Sequence, residues 1–314
     1  MDPVTLAVGG ILAAVLGIAA FDNDDDDDNS SDSTDTGTDT GTDTGTDPDV
    51  ENSEGLTLDL ETGTVTGTEG DDMITPTLLG DSVDDYYSVH AGAGDDTVVA
   101  DPGFEAYGED GDDVLTVTDA YGGVTDGGAG DDVLNVTPIS SVVLGGEGND
   151  TINYDDTHRG WEEGNRIDAG NGDDVINAHM EVGISASGAP VSTGDGADEV
   201  NLTIAADNVE IDTESGNGYV FDGNQEILTV SDFDAQNDIL TIDPTTHNGE
   251  TATLNGQAAQ LTYTGYEVTE DDNGTTVILS YDAVSASETQ EMTLNVRLSG
   301  ATGVPADAIR VITG

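Results

Sequence analysis

One turn recurs along this chain and limits what it can fold into: Gly127-Gly128-Ala129-Gly130-Asp131-Asp132-Val133-Leu134. Aligned on its last glycine, it is present in seven copies, at Gly70, Gly94, Gly111, Gly130, Gly148, Gly172 and Gly196. Successive glycines stand 24, 17, 19, 18, 24 and 24 residues apart, which gives a unit of about eighteen residues with insertions in three intervals. A unit of that size cannot bury a hydrophobic face alone, so the period predicts coils stacked on one another instead of a single globular core.

Each copy reads as a turn followed by a strand. Glycines allow positive φ and a tight curl that brings backbone carbonyls together, and the second aspartate adds a carboxylate. Hard oxygen donors, with no His or Cys in the loop, favour calcium over zinc or copper. Beyond the turn the pattern alternates with a period of two, which places Leu134 and Val136 on one face and Val133 and Asn135 on the other. Leu115 and Val117, Ile152 and Tyr154, Ile176 and Ala178, and Val200 and Leu202 take the same inward positions. A second, less regular strand falls between successive turns, as at 140–146 and 164–170. Coils of strand, loose turn, strand and glycine turn, stacked at roughly 4.8 Å, would line the turns up in a single column on one edge. Seven turns then offer about six positions for a cation between successive pairs.

The charge balance fits that reading. There are 67 acidic residues against four arginines and no lysine, for a formal net charge of -63, and self-repulsion on this scale opposes any compact state unless cations neutralise it. Nucleic acid and anionic membrane surfaces are excluded as partners on the same ground. A surface adapted to high salt is also acidic, but it would scatter its acids, whereas here Gly-x-Asp returns in register ahead of an apolar strand. Cysteine is absent, so stapling has to come from metal or packing.

The nonapeptide G-G-x-G-x-D-x-U-x, with U a large apolar residue, is the established calcium-binding repeat of RTX proteins, and residues 127–135 and 145–153 fit it at every position. Over about 135 of its 314 residues the chain resembles this RTX, or hemolysin-type calcium-binding repeat, family. The resemblance implies an all-β chain with a right-handed parallel β-roll (a β-solenoid) that folds on external calcium after export. It also implies calcium ligands at the sixth-position Asp72, Asp96, Asp113, Asp132, Asp150, Asp174 and Asp198, with turn carbonyls at Gly94, Gly111, Gly130, Gly148 and Gly172. Thr68, Ala91, Glu109, Ala169 and Thr193 replace the first or second glycine, so looser turns are expected there, and Asp72 and Asp198 end the column. The usual family roll carries the motif on both edges; this chain keeps it on one.

Around the roll, expected at 61–215, the organisation changes. Residues 4–21 are an uncharged apolar run, long enough for an anchor or export segment (1–21), and provide the only expected membrane contact. Residues 22–60 are an Asp/Thr/Gly tract that reads as an extended linker. Its aspartate run fails as an EF-hand, because counting from Asp24 the required sixth-position glycine is Asn29. Residues 216–314 lose the glycine register and predict a small antiparallel β-sheet or sandwich domain. Within it lie alternating strands over 226–243, a hairpin over 266–282 closed near Asn273-Gly274, and strands at 292–298 and 308–312. The stretch 230–243 resembles the post-roll segment of serralysin-type RTX proteins, which implies a cap and a type I secretion region.

No catalytic motif stands out. His90, His158, His179 and His247 form no HExxH, and residues 183–188 miss the GxSxG elbow because Ser187 stands where glycine is required. The only tryptophan sits in the insertion at 158–165 beside Arg159, Glu162 and Glu163. The expectation is therefore a secreted or cell-surface calcium-binding protein with a structural or adhesive role and a cell-surface or matrix partner. A carbohydrate-active enzyme on a solenoid, with its site near Trp161, is the alternative.

Overall fold

Alternation decides the secondary structure. Wherever an apolar residue falls at every second position after a glycine turn, the chain extends and buries that face. In the computed structural model these segments pair into two facing sheets, and among the described residues there is no helix. The structure describes residues 55–59, 61–75, 88–100, 103–139, 141–156, 165–181, 189–205, 210–211, 224–244 and 252–312, all within one compact unit, Pro48–Gly314. The apolar segment 1–21, the acidic tract up to residue 54, the tryptophan patch apart from Asn165, residues 183–188 and the boundary expected at 215/216 lie outside the described residues.

Each coil gives one strand to each sheet. Met73–Ile74, Thr97–Ala100, Val114–Tyr121, Val133–Ile139, Thr151–Asp156, Val175–Glu181, Glu199–Ala205 and Ile239–Asp243 follow one another in parallel through one sheet, and Ile309–Val311 closes it. Thr64–Thr66, Ser88–Ala93, Glu105–Asp110, Val124–Ala129, Val142–Glu147, Arg166–Asn171, Ala189–Ser192 and Asn224–Val230 do the same in the other. This is a two-sheet parallel solenoid. Its first strand, Thr57–Asp59, pairs antiparallel with Thr64–Thr66 and lies inside the span read as linker, so regular structure begins earlier than expected.

The inward positions read from the alternation are buried. Leu115, Val117, Leu134, Val136, Ile152, Tyr154, Ile176, Ala178, Val200 and Leu202 are all at most 2% exposed. Strand pairing keeps equivalent residues in contact from coil to coil, with Ile152 between Leu134 and Ile176. The core is thus a set of parallel columns, in which each side chain packs on its counterpart one coil away.

The two edges of the solenoid differ. On the motif edge three residues separate the strands in the five inner turns, Ala93 to Thr97, Asp110 to Val114, Ala129 to Val133, Glu147 to Thr151 and Asn171 to Val175, and six in the first and last, Thr66 to Met73 and Ser192 to Glu199. Every insertion falls on the other edge, between Ile74 and Ser88, Asp156 and Arg166, and Glu181 and Ala189. The strands flanking them stay in register, with Thr151 opposite Val175 and Val142 opposite Arg166. The expected restriction of the motif to one edge is what the coils display, and the opposite edge is occupied by Phe104, Gly123, Ser141 and Asn165.

The C-terminal residues extend both sheets. Thr289–Ser299 adds in parallel to Asn224–Val230, and Gly274–Ser285 and Gln257–Asp271 then add antiparallel, with the hairpin closing between Asp271 and Gly274. The antiparallel strands expected after residue 216 are present, hydrogen-bonded to the solenoid's own sheet. Val277, Leu279, Met292, Leu294, Val296 and Leu298 continue its core.

Two glycines test the stacking. A Cβ on Gly128 (φ 107°) would sit 2.2 Å from the Glu109 carbonyl oxygen of the preceding coil, whereas Gly122 (φ 70°), on the other edge, has open space around it. Gly128→Ala is expected to cost about 3 kcal/mol or more, and Gly122→Ala about 1–2 kcal/mol, in urea denaturation. Equal costs would mean that the coils do not pack at this distance.

Candidate metal centre

The sixth residue of each turn points its carboxylate into the solenoid. Asp96, Asp113, Asp132, Asp150, Asp174 and Asp198 are each 1% exposed and Asp72 is 7% exposed. Room for them comes from the first position of the same turn. A Cβ on Gly127 would lie 2.4 Å from Asp132 Oδ2 and 2.6 Å from the Gly145 carbonyl oxygen, and Gly108 and Gly145 are crowded in the same way by Asp113 and Asp150. Ala91, Ala169 and Thr193 fit the position fully buried or nearly so. Backbone bonds from Gly94 and Gly172 to the next coil are 2.9 Å, against 2.8 Å from Gly130 in the all-glycine turn. Second-position glycines take positive φ, and Glu109, which replaces one, is held at 78° with its carboxylate 2.8 Å from His90 Nδ1.

The seven aspartates form one ladder. Asp72 N–H donates to Asp96 Oδ1 at 2.7 Å, and the same bond runs from Asp96 to Asp113, Asp113 to Asp132, Asp132 to Asp150, Asp150 to Asp174 and Asp174 to Asp198, at 2.7–2.9 Å. It continues one step further, from Asp198 N–H to Asp238 Oδ1 at 3.1 Å. Asp238 is an eighth rung that the repeat pattern did not reveal; its sequence signal is Asp238-Ile239-Leu240, an aspartate just ahead of an alternating strand. A second, exposed ladder runs with opposite polarity through the fifth positions. Asp95 N–H donates to Asp71, Asp112 to Asp95, Asp131 to Asp112, Asn149 to Asp131, Asp173 to Asn149 and Ala197 to Asp173.

What distinguishes the inner rungs is their other oxygen. Oδ2 of Asp96, Asp113, Asp132, Asp150, Asp174 and Asp198 is buried and accepts no hydrogen bond. At the two ends it does: Asp72 Oδ2 accepts from Thr68 N–H at 2.6 Å, and Asp238 Oδ2 from Asp234 N–H at 2.7 Å and the Thr193 hydroxyl at 3.3 Å. A buried carboxylate oxygen left without a donor carries its full desolvation cost. Burial accordingly pushes Asp132 and Asp198 up to about 7, and Asp113, Asp150 and Asp174 up to about 6. The N–H of the adjoining rung opposes the rise and neighbouring carboxylates add to it.

The donor set fits a hard cation. Six unsatisfied carboxylate oxygens stand in register, and the carbonyls of Gly127, Gly145 and Ala169 lie beside Asp113, Asp132 and Asp150 across the first-position residue. These first-position carbonyls were not among the expected donors. The carbonyls of Gly94, Gly111, Gly130, Gly148 and Gly172 lie against the fourth-position glycine of the next coil, within the stack. Among the described residues no three His, Cys, Asp or Glu side chains converge on one point, so a cation held here would have to take most of its oxygens from the backbone. Arg166 and Arg297 pair with Asp168 and Asp271, away from the column. Compared with family models and with curated proteins, the chain matches none.

The raised aspartates set the pH response of the metal-free fold. A carboxyl whose folded value lies above its unfolded value near 3.9 stabilises the fold when protonated, and that stability is lost as pH rises through about 6 to 7. In EGTA the melting temperature is expected to fall between pH 5 and pH 8, and saturating calcium should remove the fall. A flat or rising profile in EGTA would contradict the buried, unpartnered state of these side chains.

Proposed function

We propose that this chain is an extracellular calcium-binding protein of the RTX type, a right-handed β-roll whose turn column is completed by external calcium. Its role is structural or adhesive: a rigid spacer that presents a cell-surface or matrix contact. The observation that carries the reading is the run of six buried carboxylate oxygens without a donor, in register along one edge. Calcium supplies the positive charge and the additional coordination those oxygens lack. The chain supplies the rest: aspartate Oδ1 clips each coil to the one before, small first-position residues make space for the carboxylate, and turn carbonyls face along the stack. The net charge is -63 with no lysine, and among the described residues Arg166 and Arg297 are held by Asp168 and Asp271, away from the column.

Six open rungs correspond to six ions, and turns of this kind belong to the affinity range of extracellular modules, about 10⁻⁴–10⁻³ M. Because the column is assembled only in the folded chain, binding and folding are linked. Far-ultraviolet circular dichroism of the full chain at pH 7.5 should show strand signal lost in EGTA and recovered in millimolar calcium, but not in equimolar magnesium, which resists giving up its water. Strand content that is indifferent to chelation would sink the proposal.

A further inference from the structure

The eighth rung is not a degenerate copy of the others. Residues 231–238, Ser-Asp-Phe-Asp-Ala-Gln-Asn-Asp, contain no glycine. Strand pairing sets Val191 opposite Val230 and Glu199 opposite Ile239, so this turn is one residue longer than the one it stacks on. It folds on itself: Asn237 N–H and Asp238 N–H both donate to the Asp234 carbonyl, at 3.0 and 2.8 Å, and Gln236 N–H and Asn237 Nδ2 donate to the Asp234 carboxylate. Phe233, 5% exposed, packs into the core beside it.

Each valence left open in the repeat turns is closed here. In the seven glycine turns the aspartate N–H donates to the carboxylate of the following rung; Asp238 N–H donates to Asp234 O instead. In the six inner rungs Oδ2 has no donor, whereas Asp238 Oδ2 has the Asp234 amide and the Thr193 hydroxyl. Asp232 adds a clasp, accepting from Thr193 N–H at 2.8 Å and from the Ser192 and Thr193 hydroxyls.

Resting on the calcium reading of the column, we infer that residues 231–238 are an ion-free terminator. Asp238 orders the last repeat turn through Asp198 N–H but binds no calcium, because the chain's own donors occupy the oxygen that faces a cation elsewhere. The last ion belongs to Asp198. A glycine-turn aspartate and a terminator aspartate thus share one position in the ladder and differ in ligand, and the difference lies in the Asp234 amide and Thr193, not in the aspartate.

Calcium counting on the full chain tests this, by calorimetry or equilibrium dialysis, with the unmodified protein, Asp198→Asn and Asp238→Asn. The expectation is six ions for the unmodified chain, one fewer for Asp198→Asn, and six for Asp238→Asn. Loss of an ion in Asp238→Asn with the other turns still loaded overturns the terminator and leaves the calcium reading standing. An unmodified chain that binds no calcium overturns both. Should Asp238→Asn fail to fold, the unmodified chain and Asp72→Asn decide, since a seventh ion that persists in Asp72→Asn would load Asp238 and overturn the inference, whereas six ions, or a seventh lost with Asp72, would uphold it.

Discussion

A carboxylate with one oxygen bonded and the other bare, buried and repeated at every coil, is the constraint on which the rest of this structure depends. Two bare charges at the strand spacing of about 4.8 Å repel by about 3 kcal/mol at an effective dielectric constant of about 20. A row of six therefore needs either protons or a counter-charge. The shifts of Asp132 and Asp198 toward 7 are the proton answer, and the absence of lysine excludes a side-chain answer from that residue. The same carboxylate dictates the glycine or small residue five positions earlier, since a larger side chain there would meet Oδ2 and the carbonyl of the next coil.

From this follows the division of labour between the edges. From Gly94 to Gly172 the motif edge keeps one length, three residues between strands, which holds each aspartate in its ladder; the one turn that is longer by strand pairing, 231–238, takes up its extra residue by folding on Asp234. The opposite edge takes the insertions between Ile74 and Ser88, Asp156 and Arg166, and Glu181 and Ala189, and the strands on either side stay in register. The outer face of the nine-stranded sheet reinforces the alignment with its own side-chain stack, in which Asn153 Nδ2 donates to Asn135, Asn177 to Asn153 and Asn201 to Asn177 at 2.9–3.2 Å.

Much of this was legible in the residues. Leu134, Val136 and their counterparts announced the buried columns by alternation, seven turns announced the stack by period, and Asn273-Gly274 announced a hairpin by turn chemistry. Alternation specifies a face and not a partner, which is why strands after residue 216 read as a separate sheet although Asn224–Val230 and Ile239–Asp243 continue the solenoid. Asp238 escaped because it comes 40 residues after Asp198, off the period and without a glycine. The contrast between open and closed Oδ2 could not be read at all: Thr68 and Thr193 look like faults in the glycine pattern, yet they donate to the terminal carboxylates, Thr68 through its backbone N–H and Thr193 through its hydroxyl.

A solenoid whose every coil is the template for the next has no intrinsic length, and left open it is the seed of a filament. Here the fourteen-stranded sheet turns antiparallel at Thr57–Asp59 on one side and through the 257–299 strands on the other, beyond which only the short Ala252–Leu254 and Glu210–Ile211 follow. The nine-stranded sheet tapers to the two-residue Met73–Ile74 and the three-residue Ile309–Val311. At both ends the terminal carboxylate has its Oδ2 hydrogen-bonded within the chain, unlike the six rungs between them. Within the described residues, the size of the solenoid is set by its ends as much as by its repeats.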